Sequence, residues 1–554
     1  AGKIKVNHRI APVLPGYGDN SVFNLLRLMP GILASGEHSN DLMIWGSYES
    51  HSKIIYDGFT LFGLKNFNDN ISVVNPFVVK NIEVFKGGYN VNYGGRVGAI
   101  VDITGKNGSL QQPAFTLNVN NTTVNSMIEI PLSEKSGLLA AYRQTFYQLY
   151  DPSSMNLFRR NENNKNAPAT GIDFSVIPDY RFRDANLKFT LNGEKGSQFF
   201  ISLYGGGDRF FYDMRRDCYF SEIIRYEEEN NWQVGGSAYI NLPHEKGNST
   251  TFVASYSIFR RLSSERNEIY NSRNHRTRVN RDFNSENEVN EFSVCATHKI
   301  NFAKGNQLVA GSGIESNRVY FLRQAFTKDV LNIDNLSSRF YVFLKDDLPI
   351  GNAVRFQTGL RTVYHNQVRK FFIQPRLKTT IQFSDAFKMN AAWGIYNQFM
   401  AKTSVADSSL NISYFWTNSD GDLLPVLKGE HLIGGITYHK NDFLVSVEGY
   451  HRYITGITRF FYGTKRLEKG FYKGNSRSYG LDFFIKKRFR ENLAWVSYSL
   501  GRTEEHFPFY IRDYYKLAPH HQTHEIKFAG VLNFNSFYFS TNYVYGSGFG
   551  RFDF

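Results

Sequence analysis

The chain has 554 residues and a formal net charge of +14, from 64 Lys and Arg against 50 Asp and Glu; 42% of residues are hydrophobic and 16% aromatic. That length permits a large core or several domains, while two cysteines, Cys218 and Cys295, exclude a disulfide framework. The basic residues are dispersed and accompany no nucleic-acid motif, so the charge is read as suited to anionic lipid headgroups or an anionic ligand rather than to nucleic acid.

No apolar run approaches the roughly 18 residues that a membrane-spanning helix needs. Spanning by strands stays open, because in barrels lipid-facing and lumen-facing residues alternate and mask the hydropathy signal. Residues 1–107 read as one glycine-rich mixed α/β unit. A strand is expected near Ile4–Val6, then a turn at Leu14-Pro15-Gly16. A short helix follows, capped by Asp19, Asn20 or Ser21 and running through Leu28, where Pro30-Gly31 stops it. Between Asn81 and Gly108 two apolar alternations, Ile82-Glu83-Val84-Phe85 and Ala99-Ile100-Val101-Asp102-Ile103, flank a glycine-rich bend, which predicts strand, turn, strand.

Residues 108–554 change style to period-two alternation. Phe387, Met389, Ala391, Trp393 and Ile395 share one face; Lys388, Asn390, Ala392, Gly394 and Tyr396 share the other. Nineteen such segments fall between about Ala114 and Tyr545, and their connections alternate between short and mostly long. That is the connection pattern of an outer-membrane barrel. A β-propeller would show a repeated blade motif instead.

The ordered set Leu25-Leu26-Arg27-Leu28-Met29-Pro30-Gly31, Ile44-Trp45-Gly46, Ile55-Tyr56-Asp57-Gly58-Phe59, Pro76 and Asn81–Gly108 resembles the plug domain of TonB-dependent outer-membrane receptors, and members from Bacteroidetes-type bacteria in particular. The resemblance implies a plug over 1–107 inside a transmembrane antiparallel β-barrel over 108–554, in a Gram-negative outer membrane. Family barrels close with twenty-two strands around a plugged lumen. On that count about three strands are expected beyond Phe554, and a leader and a TonB-contacting segment before Ala1.

The resemblance also implies site residues. Three plug apices meet ligand in the family; here they correspond to Tyr48 and Glu49, to Phe62, Lys65, Asn66, Phe67 and Asn68, and to Tyr89. Flat aromatics beside fixed polar groups suit an amphipathic ligand, although the same rings can pack on the barrel wall. Family plugs are locked by cations that pair with barrel carboxylates. Trp45 stands where the first cation is usual, so that half is lost or replaced by packing, while Lys86 keeps the second. Glu83, Arg96 and Asp102 are further candidates for plug–barrel pairs.

Other motifs read as structural. His520, His521 and His524 are taken as a solvated-loop or rim cluster, Asp420-Gly421-Asp422 as a turn, and Gly205-Gly206-Gly207 as a strand end. Aromatic clusters such as Tyr414-Phe415-Trp416 and Phe460-Phe461-Tyr462 belong to a girdle or wall, or cover a ligand. No catalytic residue, metal or cofactor is assigned. The expected function is energy-driven import of a scarce or bulky ligand. The expected partners are membrane lipid and lipopolysaccharide, a TonB-type protein, and a surface lipoprotein or other outer-membrane subunit. The alternative is a receptor-fold structural subunit of a larger complex.

Overall fold

A computed structural model of the chain describes residues 2–6, 21–34, 42–48, 50–63, 71–120, 122–146, 173–218, 220–406, 412–461, 468–508, 514–534 and 537–549. The N-terminal unit holds strand β1 (Lys3–Val6), helix α1 (Ser21–Arg27), and strands β2 (Lys53–Tyr56), β3 (Phe59–Leu61), β4 (Val79–Phe85) and β5 (Ile100–Gly105). They form one sheet in the order β1-β4-β5-β2-β3. Only β2–β5 is parallel among the paired neighbours. Val22, Leu25 and Leu26 of α1 are buried, and the chain leaves the helix through Gly31 at φ 75°. The helix ends one residue before the expected Leu28.

A second sheet of twenty-two strands curls around this unit as a barrel. Nineteen of them, from Ala114–Val119 to Tyr538–Gly546, form the continuous antiparallel wall that the alternating segments predict. The other three, Met400–Ala406, Ile412–Asn418 and Lys516–Leu517, lie within two of the long connections between wall strands. Three successive short turns repeat one solution, Glu194–Gly196, Glu245–Gly247 and Ala303–Gly305, each closing on a glycine with φ between 73° and 81°. Gly205-Gly206-Gly207 lie inside strand Gln198–Cys218 rather than at its end. A Cβ on Gly206 would approach the Tyr204 hydroxyl to 2.5 Å, so glycine leaves room for that buried ring. Cys218 and Cys295 are unpaired and half-buried on strands.

The two faces of the wall separate as the alternation requires. In strand Gly470–Phe489, Asp482 faces the lumen and is buried, while Leu481, Phe483 and Ile485 face outward and are exposed. A cation on the lipid face costs most at the membrane midplane. Ile485→Arg, four residues from the short turn after Phe489, is expected to lower stability by about 2–4 kcal/mol, and Phe489→Arg by about 0–1 kcal/mol. Denaturant titration of the two variants refolded into lipid vesicles measures the difference, and equal losses would contradict this placement.

Candidate functional site

Plug loops bring backbone carbonyls into the lumen without sheet partners, and buried carbonyls need donors. The inner face of the wall supplies them as long cations. Lys527 donates to the carbonyl of Met29 at 3.0 Å and to that of Ile32. Arg452 donates to Ile44 O at 3.0 Å and Lys86 O at 2.8 Å. Arg361 reaches Val91 O at 2.9 Å, and Arg376 reaches Tyr89 O at 3.2 Å and Tyr93 O at 2.8 Å. Arg143 donates to Ser72 O at 2.6 Å, and Lys188 to Gly105 O at 3.1 Å.

At the centre of this grip is Asp482, 3% exposed. Its carboxylate accepts from Lys86 Nζ at 2.6 Å, from the Trp45 indole N–H at 2.7 Å and from the Ser499 hydroxyl at 2.8 Å. Glu448 pairs with the same Lys86 at 2.9 Å. Burial alone would lower the Lys86 pKa, but Asp482 and Glu448 outweigh it and hold the ammonium above its ordinary range. Trp45 therefore does more than pack. It cannot ion-pair, yet it hydrogen-bonds the carboxylate, stacks on Tyr450 at 4.5 Å and lies under Lys86 at 4.6 Å. Its backbone sits at φ 53°, a left-handed conformation that is strained for a bulky residue. The following Gly46, at φ 64°, has no room for a side chain, since a Cβ would fall 1.9 Å from Thr503 Oγ1.

Of the other lock candidates, Glu83 pairs with Lys3 at 2.9 Å and Asp102 accepts from Tyr93 at 2.6 Å, both within the plug. Burial raises the pKa of Asp102. Arg96 is buried and donates to Gly95 O at 2.8 Å, with its guanidinium 5.6 Å from the Trp416 ring. Burial lowers its pKa, and Glu291 and Glu315 oppose that. So Lys86 alone of the four ties plug to barrel carboxylates, and Asp482, Glu448 and Arg452 are the partners that sequence reasoning missed. A lone inward carboxylate in the alternation Leu481-Asp482-Phe483 was the available signal for Asp482.

The plug apices pack inward. The Tyr48 hydroxyl donates to Glu505, and its ring meets His520 edge-on at 4.6 Å. Phe62 is buried against Trp416 at 5.5 Å, with Gln233 accepting from its N–H at 3.2 Å. Tyr89 is buried against Tyr396 at 4.5 Å, its hydroxyl donating to the Arg96 carbonyl. Glu49, Lys65, Asn66, Phe67 and Asn68 lie outside the described residues. The inward hairpin of Met400–Ala406 and Ile412–Asn418 touches the plug at three points, one of them the predicted apex residue Phe62: Lys402 N–H donates to Ser50 Oγ at 2.7 Å, and Trp416 faces both Phe62 and Arg96. Tyr414-Phe415-Trp416 belongs to this hairpin, with Phe415 stacked on Phe321 at 3.8 Å.

His520 and His521 are buried, which corrects the solvated-loop reading for these two, while His524 is exposed. Plug and wall together explain the burial: His520 lies 3.1 Å from Gly46 O of the plug, and His521 accepts from Thr503 N–H of the wall at 3.2 Å. Asp420 is a turn residue, accepting from the N–H of Asp422 and Leu424 at 2.8 and 2.9 Å. No group of three metal-ligating side chains occurs among the described residues.

Comparison with known proteins agrees with this architecture. Residues 13–100 match the family model of the TonB-dependent receptor plug domain. No curated protein matches the sequence. The fold is similar to that of the siderophore receptor PirA from Pseudomonas aeruginosa (14% identity, covering 98% of this chain and 92% of that one, TM-score 0.56) and of its namesake from Acinetobacter baumannii (12%, 98% and 85%, 0.62). It is also similar to the outer membrane transporter YddB from Escherichia coli (11%, 96% and 83%, 0.62).

Removing one partner of a buried ion pair strands the other. Asp482→Ala is expected to cost about 3–5 kcal/mol, and adding Lys86→Met to recover part of it; denaturant midpoints of the single and double variants measure the coupling. His51 is buried, with Arg452, His520 and Arg96 nearby, and its pKa falls from 6.5 to about 3. The unfolded chain therefore binds a proton near pH 6.5 that the folded plug refuses until about pH 3, so stability falls as pH drops through that window. His51→Gln is expected to reduce the slope of stability against pH between those limits; an unchanged slope would assign it to other groups.

Proposed function

We propose that this chain, a TonB-dependent outer-membrane receptor by its plug and barrel, imports a scarce or bulky ligand through energy-driven movement of the plug. The protein sits in the outer membrane of a Gram-negative bacterium and works with a TonB-type coupling protein. It belongs with receptors and transporters, not enzymes. Its Bacteroidetes-type character rests on the order of its plug motifs.

The observation that carries the reading is the kind of contact holding the plug. A unit with its own sheet sits in the lumen, and its ties to the wall are discrete: cations on carbonyls, the Lys86 hub with Asp482 and Glu448, the Asp57–Lys188 pair, and the pairs of Lys53 with Glu291 and Glu315. Such ties break one at a time and re-form with water. A space of about 620 Å³ already lies between the plug and the opposite wall, lined by Lys53, Tyr93, Asp102 and Arg361. Rearrangement therefore starts beside an existing gap. Tyr48, Phe62 and Tyr89, with Glu49, Lys65, Asn66, Phe67 and Asn68, serve as ligand contacts once the hairpin on the apices lifts.

Asn75 of the plug and Asn125 of the wall exchange two side-chain hydrogen bonds of 3.0 Å, which makes them a tethering pair. Cells carrying N75C/N125C, bridged by a short bis-thiol reagent, are expected to leave in the medium a solute that unbridged cells remove. Collapsing the proton gradient is expected to have the same effect. Mass spectrometry of spent medium gives the readout and identifies the solute. Unchanged depletion of every solute, with stoichiometric recovery of other outer-membrane proteins, would replace import by a structural role.

A further inference from the structure

At the short-turn end of the barrel, strand β1 and the wall enclose a cavity of about 480 Å³. Lys378, Lys388, Lys486 and Arg488 line it from three wall strands, and Lys5 lines it from β1. Among the described residues, none of these five cations has a carboxylate within ion-pair distance. The two carboxylates on the cavity wall, Glu448 and Asp482, are already engaged by Lys86. The rest of the lining is partly apolar, with Leu444, Phe484, Leu493 and Trp495. Trp495 is 3% exposed and its buried indole N–H has no acceptor.

Like charges gathered around one recess repel one another, and its partly apolar wall concentrates their field. A fully compensated wall would need no further ion. This one carries a surplus of cations beside apolar side chains, the combination that holds an oxyanion on a hydrophobic body. We propose that the cavity is a binding site for a small organic anion bearing phosphate or carboxylate groups, and that the imported ligand belongs to this class. The second clause rests on the import reading; the first does not. Lys86 and Asp482 line the same cavity, so a plug movement that opens their tie opens toward the waiting cations.

The test uses the full chain in discs of zwitterionic lipid, titrated calorimetrically at low salt with 1-naphthyl phosphate and, for comparison, with neutral 1-naphthol. Saturable one-to-one binding of the phosphate is expected, weakened at least about tenfold by K388Q/R488Q and abolished by K378Q/K388Q/K486Q/R488Q or by high salt. Lys388 and Arg488 are exposed, so the double variant leaves the fold intact, and heat-modifiable electrophoretic mobility verifies each barrel. Absence of saturable binding, equal binding of 1-naphthol, or variants that bind as the parent would overturn the site. Phosphate binding in a protein that imports nothing would remove the import reading and leave the site; import of a neutral solute would overturn the assignment of ligand class.

Discussion

A charge removed from water must meet its opposite, and the Asp482 carboxylate is where plug and barrel jointly satisfy that requirement. Without the plug, Asp482 faces the lumen with Ser499 as its remaining hydrogen-bond partner; without Asp482, Lys86 keeps Glu448 as its one carboxylate among the described residues. The hub also orders its surroundings. Trp45 is held in a left-handed backbone by the hydrogen bond to Asp482 and the stack on Tyr450. Ser499, which donates to Asp482, accepts from the N–H of Gly31, where helix α1 has ended. One wall carboxylate thus fixes the helix exit, the strained tryptophan and the end of β4.

The cation-to-carbonyl contacts extend this logic around the lumen. Lumen-facing positions of a membrane barrel are free to be polar, because lipid touches only the other face. Plug loops have carbonyls to satisfy and few strands to satisfy them with. Arginine suits both needs: it is always charged, its fork reaches several oxygens at once, and its stem covers apolar surface. Arg376 shows this, gripping the carbonyls of Tyr89 and Tyr93 while its guanidinium lies 4.5 Å from the Tyr396 ring. Contacts to backbone do not depend on which side chain the plug presents. They hold its path rather than its surface chemistry.

Much of this was legible in the sequence, for definite reasons. Wall strands expose one face to lipid, so alternation is imposed on them, and the nineteen segments emerged from that alone. The glycine-rich stretch to Gly108 announced the plug because glycine is required where chains crowd; a Cβ on Gly98 would lie 2.6 Å from the His51 carbonyl oxygen. Lys86 was legible from its motif. The hairpin at Met400–Asn418 was not. Thr403, Ser404, Val405, Phe415, Trp416 and Thr417 are all buried, so no two-residue period marks its strands. Asp482 and Glu448 escaped because their partner stands hundreds of residues earlier. Nor does sequence spacing mark the burial of His520 and His521, which comes from the plug and the neighbouring wall.

The hairpin changes what recognition at the outer face requires. Apices of a plug in an open vestibule would meet a ligand directly. Here Ser50, Phe62 and Arg96 already have an occupant, the edge of a two-stranded arm whose Trp416 N–H also donates to Asn287 at 2.7 Å. On the import reading, a ligand that uses these apices must offer contacts that outweigh those of the arm. On that reading binding and opening form one equilibrium, since affinity is reduced by the fraction of molecules in which the arm is seated. Arg96 sits where that exchange is felt. It is buried, its Nε has no partner, and its ring contact belongs to the arm. Displacing the arm takes Trp416 from Arg96, a residue of the same plug segment that ends in β5 and pairs with the strand leading to Lys86. The outer arm and the inner hub are therefore joined through one short stretch of plug backbone.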